Sequence, residues 1–406
     1  MQFKLPAYSD YTVLCCLALL VPTIATIAPL QIASVAVLSA IVVISNRIVS
    51  RSPQPFSPPK LVWILATIII WAIISSTWAL DSTQSIATAA RLILAVIALI
   101  VLLNAANSIG MNEKKMLYRW LSRGGILAIV ITLFSIAYIY LDTTWIQGKE
   151  MADHELNTLN RSASILALFA WPWALSIGRH YGPIWAIIFI VTMAVTIYLL
   201  PPVTPLLALL IGTCAFAVAW TAPRCAKPLI VAAIVLSVGI IPFLNTFLPY
   251  IVGSLDREML GSLNLLHRFV IWEFAAEQIL ERPLIGWGLD AARAFPNGDT
   301  NILIFESASG GSVIGQPLPL HPHNAIIQIW LELGFVGVLL FCSLLASAIH
   351  AIPQSRLKTL DAAICIAVLA TAITIAQLGY GFWQGWWLSA LGLATITTTA
   401  AISRDD

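Results

Sequence analysis

An all-α integral membrane protein of about twelve transmembrane helices, with one large external loop holding an amphipathic helix, is the fold class this sequence predicts. Three observations carry it. The 406 residues are 59% hydrophobic and only 10% charged, where a soluble chain carries about 25% charged residues. Apolar runs of about 18 to 20 residues recur from end to end, long enough to cross a hydrocarbon core of roughly 30 Å. The polar connections between them are short, with two exceptions.

The runs fall at 11–30, 31–49, 61–79, 86–104, 124–141, 162–178, 183–200, 205–221, 228–247, 324–349, 360–379 and 385–402, a single polytopic domain over 1–406. The first follows Lys4 as a signal peptide would, yet its length and the immediate second run favour a retained helix. One alternating set of connections collects the cations, among them Arg47, Arg51, Lys60, Lys114, Arg123, Arg179, Lys227 and Arg356. That set, with both termini, is predicted to be cytoplasmic. The two larger loops, 142–161 and 248–323, then face the other side, the second lying between spans nine and ten. All six cysteines sit in spans or in the short loop near Cys225, so neither a disulfide framework nor a cysteine zinc site is indicated. A net charge of +2 without a basic run gives no reason to expect nucleic acid.

A loop of roughly 75 residues is too long for a structureless connection in a compact domain. Within it, "NLLHRFVIWEFAAEQILERP" reads as an amphipathic helix. Leu265, Phe269, Trp272, Ala276 and Ile279 recur at helical spacing, Glu273, Glu277 and Glu281 line another face, and Pro283 marks the end. The stretch Asp299–Gln316 shows no periodicity and reads as a flexible loop or a cover over a site. Its Gly310-Gly311 is no phosphate loop, since no Gly-Lys-Ser/Thr follows. The two halves of the chain show no matching pattern, which argues against a transporter built from repeats.

The densest polar cluster is "HPHNAIIQIWLELGFVG", His321 to Gly337, at the outer end of the tenth span. Pro322 keeps His321 out of the helix, and Asn324 suits the N-cap. Asn324, Gln328 and Glu332 are four apart and form one stripe, which in hydrocarbon must face protein or water. Gly334 and Gly337 read as close helix contacts. The helix N-terminus favours anions and keeps His323 neutral, able to accept a proton. Against a metal site, neither "HPH" nor the "DHE" at 153–155 has a third-ligand pattern.

Six arginines lie on the outward side: Arg91, Arg161, Arg257, Arg268, Arg282 and Arg293. Guanidiniums converging at one bilayer surface suit a phosphate or pyrophosphate, because each binds two oxygens in a fork. Snorkelling toward lipid head groups is the plainer reading, and fits Arg257 and Arg282 best.

These residues resemble the O-antigen ligase family within the ligase and polymerase superfamily. The motif is His323, Asn324, nine residues, Gly334, two residues, Gly337. Upstream, "HRFVIWEFAAEQILERPLIGWGLDAAR" is similar to the family's arginine-and-tryptophan segment, holding Arg268 and Trp272, and its Pro-x-x-Gly-x-Gly turn. The likeness covers roughly 265–340; elsewhere it is one of hydropathy and span layout. The resemblance implies a bacterial inner-membrane enzyme with its active site facing the periplasm. It would transfer a glycan from undecaprenyl pyrophosphate to a sugar hydroxyl of lipid A–core, inverting, with no metal or cofactor. It makes His323 the base for the acceptor hydroxyl and Arg268 a pyrophosphate ligand. The remaining expected contacts are Arg91, Arg161, Arg293, His321, Asn324 and Trp272, supported by Gln328, Glu332, Gly334 and Gly337. One departure stands out: where relatives carry a Ser-Arg pair, this chain reads "LPPVTPLLALLIG", leaving Arg161, Arg91 or Arg293 to supply the second pyrophosphate arginine.

Two readings share the same donor chemistry: a polymerase of lipid-linked glycan, and a protein O-oligosaccharyltransferase. A flippase would instead need ionisable groups near the midplane, and a non-enzymatic scaffold would tolerate loss of His323.

Overall fold

A computed structural model of the chain describes residues 10–49, 61–146, 159–244, 246–248, 250, 265–306, 312–352 and 359–402. The protein is an all-α membrane protein, and a helix occupies each of the twelve predicted stretches. These are α1 (Asp10–Ile27), α2 (Ile32–Val49), α3 (Leu61–Ser75), α4 (Ser82–Ser108), α5 (Met111–Ile146) and α6 (Asn160–Tyr181). There follow α7 (Pro183–Tyr198), α8 (Val203–Thr221), α9 (Pro223–Ile240), then α11 (Ala325–Ala351), α12 (Thr359–Leu378) and α13 (Gly385–Ala401). The amphipathic α10 (Leu265–Glu281) lies between α9 and α11. Arg257, the "DHE" stretch and the cations Arg51, Lys60 and Arg356 lie outside the described residues.

Among the described residues, eight regions are long and apolar enough by themselves to cross a bilayer: those of α1, α2, α4, α5, α8, α9, α11 and α12. Helices α3 and α7 are apolar but shorter. Helix α6 is of another kind, since every residue from Ser162 to Ile177 is buried. A helix covered all round by protein needs no lipid-facing stripe, so α6 tolerates Ser162, Ser164 and Ser176 where a lipid-facing helix would not. Around it pack α1, α2, α4, α5, α7, α8, α12 and α13 in the larger core. A second core joins α3, α10, α11 and the turn after α10.

At one end of the bundle the cations are consumed by the fold. Lys114 donates to the Ile402 carbonyl at 2.9 Å, and Lys227 to that of Ile352 at 2.9 Å. Arg179 reaches Asp361, the Tyr118 hydroxyl and the Ala401 carbonyl. Each satisfies carbonyls left free at a helix C-terminus and complements its dipole.

The other end holds the polar elements, and a break in α11 organises it. Gly334 leaves helical geometry (φ 63°, ψ −165°), which frees carbonyls and N–H groups of the neighbouring turns. The Pro-x-x-Gly-x-Gly turn takes them up. Trp287 N donates to Leu331 O at 2.9 Å, Gly288 N to Glu332 O at 2.8 Å, and Phe335 N to Pro283 O at 2.9 Å. Trp71 Nε1 caps the Leu333 carbonyl at 3.1 Å. The expectation of a helix–helix contact at Gly334 is thus corrected: the close contact there is between the glycine turn and a broken helix.

Two further corrections concern the connection before α11. Asp299–Gln316 is no plain loop: Ile302–Glu306 (β1) and Ser312–Gly315 (β2) pair antiparallel, with Leu303 opposite Ile314. The segment hid from periodicity because its apolar residues are solvent-facing, Leu303 and Ile314 being largely exposed. On α10 the buried residues are Leu266, Ile271, Ala275, Ala276 and Ile279. Leu265, Phe269 and Trp272 are only half-buried, because the turn and β1 cover this helix from a different side than the apolar stripe suggests.

Candidate functional site

A cavity of about 410 Å³ opens where six pieces of chain meet: the α1–α2 turn, the first halves of α4 and α6, the turn after α10, the segment leading into α11 and the α12–α13 connection. Arg91, Arg161 and Arg293 line it together with His321 and Gln328. Arg91 stands on the α4 face that carries Gln84 and Thr88, respectively two turns and one turn before it. Arg161 lies in the first turn of α6, its Nε buried and without a partner among the described residues. Arg293 sits in a short 3-10 turn and donates to Asp290 Oδ1 at 3.1 Å.

Asp290 is the pin of this arrangement. Its backbone is left-handed (φ 59°), and its Oδ2 accepts from Gln84 Nε2 and Thr88 Oγ1, each at 2.8 Å. One buried carboxylate therefore ties the turn to α4 and orients the Arg293 guanidinium.

The two histidines differ in exposure to the cavity. His321 lines it, is 8% exposed, and has no hydrogen-bond partner on either ring nitrogen among the described residues. His323 lies behind, its ring centroid 4.3 Å from that of His321. His323 Nδ1 is 2.7 Å from the Gly379 carbonyl, which can only accept. Nδ1 therefore carries the proton and Nε2 keeps its lone pair. His323 also adopts φ 53°, a left-handed state costing roughly 1–3 kcal/mol in a non-glycine residue. Its neighbours hold it there: Trp272 Nε1 donates to Pro322 O at 2.9 Å, and Asn324 caps α11 by accepting from Ile327 N at 3.0 Å.

Arg268 donates to the Leu378 carbonyl at 2.8 Å and does not line the cavity. Consecutive carbonyls at the end of α12 thus take Arg268 and His323, where the helix dipole favours cations and N–H donors. Arg282, read as a snorkelling residue, lies over the Trp287 ring at 4.0 Å.

Burial pushes His321 down to about 3, with His323, Arg293 and Arg268 adding repulsion. Burial also lowers His323; the Gly379 carbonyl opposes the shift, while Arg268 and His267 add to it. A histidine depressed on folding takes up its proton more readily when unfolded. His321 therefore contributes stability that is complete above its ordinary value near 6.5 and is lost as pH falls toward 3. Between pH 7 and 5 the protein in detergent should lose on the order of 2 kcal/mol from this residue. His321→Gln should flatten the dependence of melting temperature on pH over that range; an unchanged slope would refute the assignment.

The polar stripe on α11 turns inward. Gln328 Oε1 accepts from Phe382 N at 2.8 Å, and its Nε2 donates to Glu332 Oε1 at 3.0 Å. The other Glu332 oxygen accepts from Asp290 N at 2.6 Å and from Trp383 Nε1. Glu332 is wholly buried and fully engaged, which makes it a brace between the Asp290 turn and the α12–α13 connection. Gly337 lies one turn beyond the break, buried in α11.

The structure thus brings Arg91, Arg161, Arg293, His321 and Gln328 to one cavity. It sets His323, Asn324, Arg268 and Trp272 in the layer behind. Sequence reasoning missed Asp290 and the whole connection Gly379–Trp386, "GYGFWQGW", which touches His323, Gln328 and Glu332. Its run of glycines and aromatics between two spans was the available signal.

The family model described as O-antigen ligase matches residues 188–342, which include α10, the glycine turn, His323 and the break in α11. A Rickettsia conorii protein provisionally named a polysaccharide ligase is 28% identical over 331 residues, covering 79% of this chain and 74% of its own. A Rickettsia typhi protein of the same provisional name is 26% identical over 328 residues, or 79% and 75% of the two chains. A third, from Rickettsia prowazekii, is 32% identical over 146 residues, 34% of this chain and 35% of that one. Arg91, Arg161 and the α12–α13 connection fall outside the family match, yet fold onto the part inside it. The chain is thus similar to the O-antigen ligase family model over 188–342, and over most of its length to proteins provisionally named polysaccharide ligases.

Proposed function

We propose that this protein transfers a glycan from undecaprenyl pyrophosphate to a sugar hydroxyl of lipid A–core. The reaction runs at the periplasmic face of a bacterial inner membrane, with both termini cytoplasmic. The observation that carries the reading is the convergence of Arg91, Arg161 and Arg293 with the unpartnered His321 around one cavity. Three guanidiniums supply the charge that a leaving pyrophosphate needs, in a site formed before substrate arrives. In the proposed step the acceptor oxygen forms a bond to the anomeric carbon. The bond from that carbon to the pyrophosphate oxygen breaks, and the electron pair leaves with undecaprenyl pyrophosphate. The acceptor proton passes to His323 Nε2, the ring nitrogen left free by the bond to Gly379. His321, between cavity and base, holds the reacting hydroxyl or the pyrophosphate by a hydrogen bond.

The test uses the purified full chain in vesicles, supplied with undecaprenyl-pyrophosphate-linked glycan and lipid A–core. Glycan on the core with release of undecaprenyl pyrophosphate is the expected product. A lengthened lipid-linked glycan would make the protein a polymerase, and glycan on a protein Ser or Thr an oligosaccharyltransferase. Arg161→Ala removes a charge-assisted contact of roughly 1.5–3 kcal/mol, so kcat/KM should fall roughly 10- to 150-fold. Arg161→Lys should recover only part, because an ammonium lacks the guanidinium fork. Full activity in Arg161→Ala would refute its role.

A further inference from the structure

The cavity has a second wall unlike the arginines. Trp383, Gln384 and Trp386 line it, with Gly381 and Gly385 leaving bare backbone on either side of Gln384. Gln384 stands at the N-cap of α13, yet its side chain makes no cap bond. It accepts instead from Trp386 Nε1 at 2.7 Å. This orients the amide: its oxygen is occupied, and its NH2 group is left to donate. The Trp386 ring is fixed too. Tyr380 abuts it edge-on at 4.7 Å, and the Tyr380 hydroxyl donates to Asn160 Oδ1 at 2.7 Å. Asn160 precedes Arg161, so the aromatic wall is tied directly to the cationic one.

We propose that this wall is a pyranose subsite that reads the first sugar of the donor. A pyranose offers apolar C–H surface and a rim of hydroxyls, which suits a fixed indole beside an oriented amide donor. That sugar is bonded to the pyrophosphate, so seating the phosphates on the arginines brings it to the adjoining wall. The inference rests on the proposed function and adds what the site selects: a glycan-bearing lipid over the bare lipid pyrophosphate.

The experiment compares binding of two probes to the full chain in vesicles of phosphatidylethanolamine and phosphatidylglycerol. One is glycan-linked undecaprenyl pyrophosphate, and the other is undecaprenyl pyrophosphate without sugar. Gln384→Ala should weaken the glycan-linked lipid roughly 3- to 10-fold, as loss of one or two neutral hydrogen bonds requires. The sugar-free lipid should bind it as it binds wild type. Gln384→Glu keeps the acceptor for Trp386 but loses the donor; its charge weakens both lipids, and the glycan-linked lipid should lose more. Equal weakening of both lipids, or of neither, in both variants would overturn the subsite while leaving the proposed function standing. If wild type binds neither lipid, the proposed function falls and the subsite with it.

Discussion

His323→Ala is expected to lower glycan transfer by about 10²- to 10⁴-fold, the contribution of a positioned general base. Its affinity for the lipid-linked donor should stay within about threefold of wild type, because the arginines that line the cavity are untouched. The geometry gives the reason for so large an effect on one step. The Gly379 carbonyl fixes the tautomer, and the left-handed backbone at His323 commits the ring to one direction. The pH profile adds a signed check. The neutral imidazole is the active form, and burial lowers its pKa below the ordinary 6.5. Activity should therefore hold through pH 6.5 and fall only on further acidification. An acid limb centred above pH 7, or substantial transfer by His323→Ala, would move the base away from His323.

How much of this was legible in the chain follows from the kind of interaction involved. Patterns that repeat along one element could be read: the apolar runs, the Asn324–Gln328–Glu332 stripe, and the N-cap at Asn324 all stand where spacing places them. Individual outward arginines could be read as costly charges. Which of them converge could not, because that depends on how α4, α6 and the turn after α10 meet. Arg268 shows the limit well, since it turns to a backbone carbonyl 110 residues away. The α12–α13 connection was missed for the same reason: its glycines and aromatics could be seen, but it acts through the carbonyls of Leu378 and Gly379, the Phe382 N–H and the Trp383 indole, whose direction spacing does not show. Asp290 escaped because a single acid in "GLDAAR" says nothing of the αL turn that aims it.

Gly334→Ala is expected to be strongly destabilising, and the reason is local. A Cβ there would stand 2.5 Å from the backbone of Leu284 and 2.6 Å from Gly286 N, at a φ of 63°. The left-handed conformation costs roughly 1–3 kcal/mol for a side chain, and the clash adds about 1–3 kcal/mol of overpacking. Backbone lies on the other side, so no side chain can swing away. Relief requires the 283–288 turn to lift from α11, which breaks the bonds from Trp287, Gly288 and Phe335. The Asp290 N–H to Glu332 bond follows next in the chain, and with it the hold on Arg293. A loss of roughly 2–6 kcal/mol by these two effects should appear as a melting temperature in detergent lowered by several degrees or more, and as reduced yield of folded protein. Gly239→Ala supplies the opposite sign: it lies in α9 with nothing within 4 Å of the added methyl, and helix propensity alone should stabilise by about 0.5–1 kcal/mol. Equal melting temperatures for the two variants would mean that the break in α11 is not what holds the turn, and that the candidate site is assembled by other contacts.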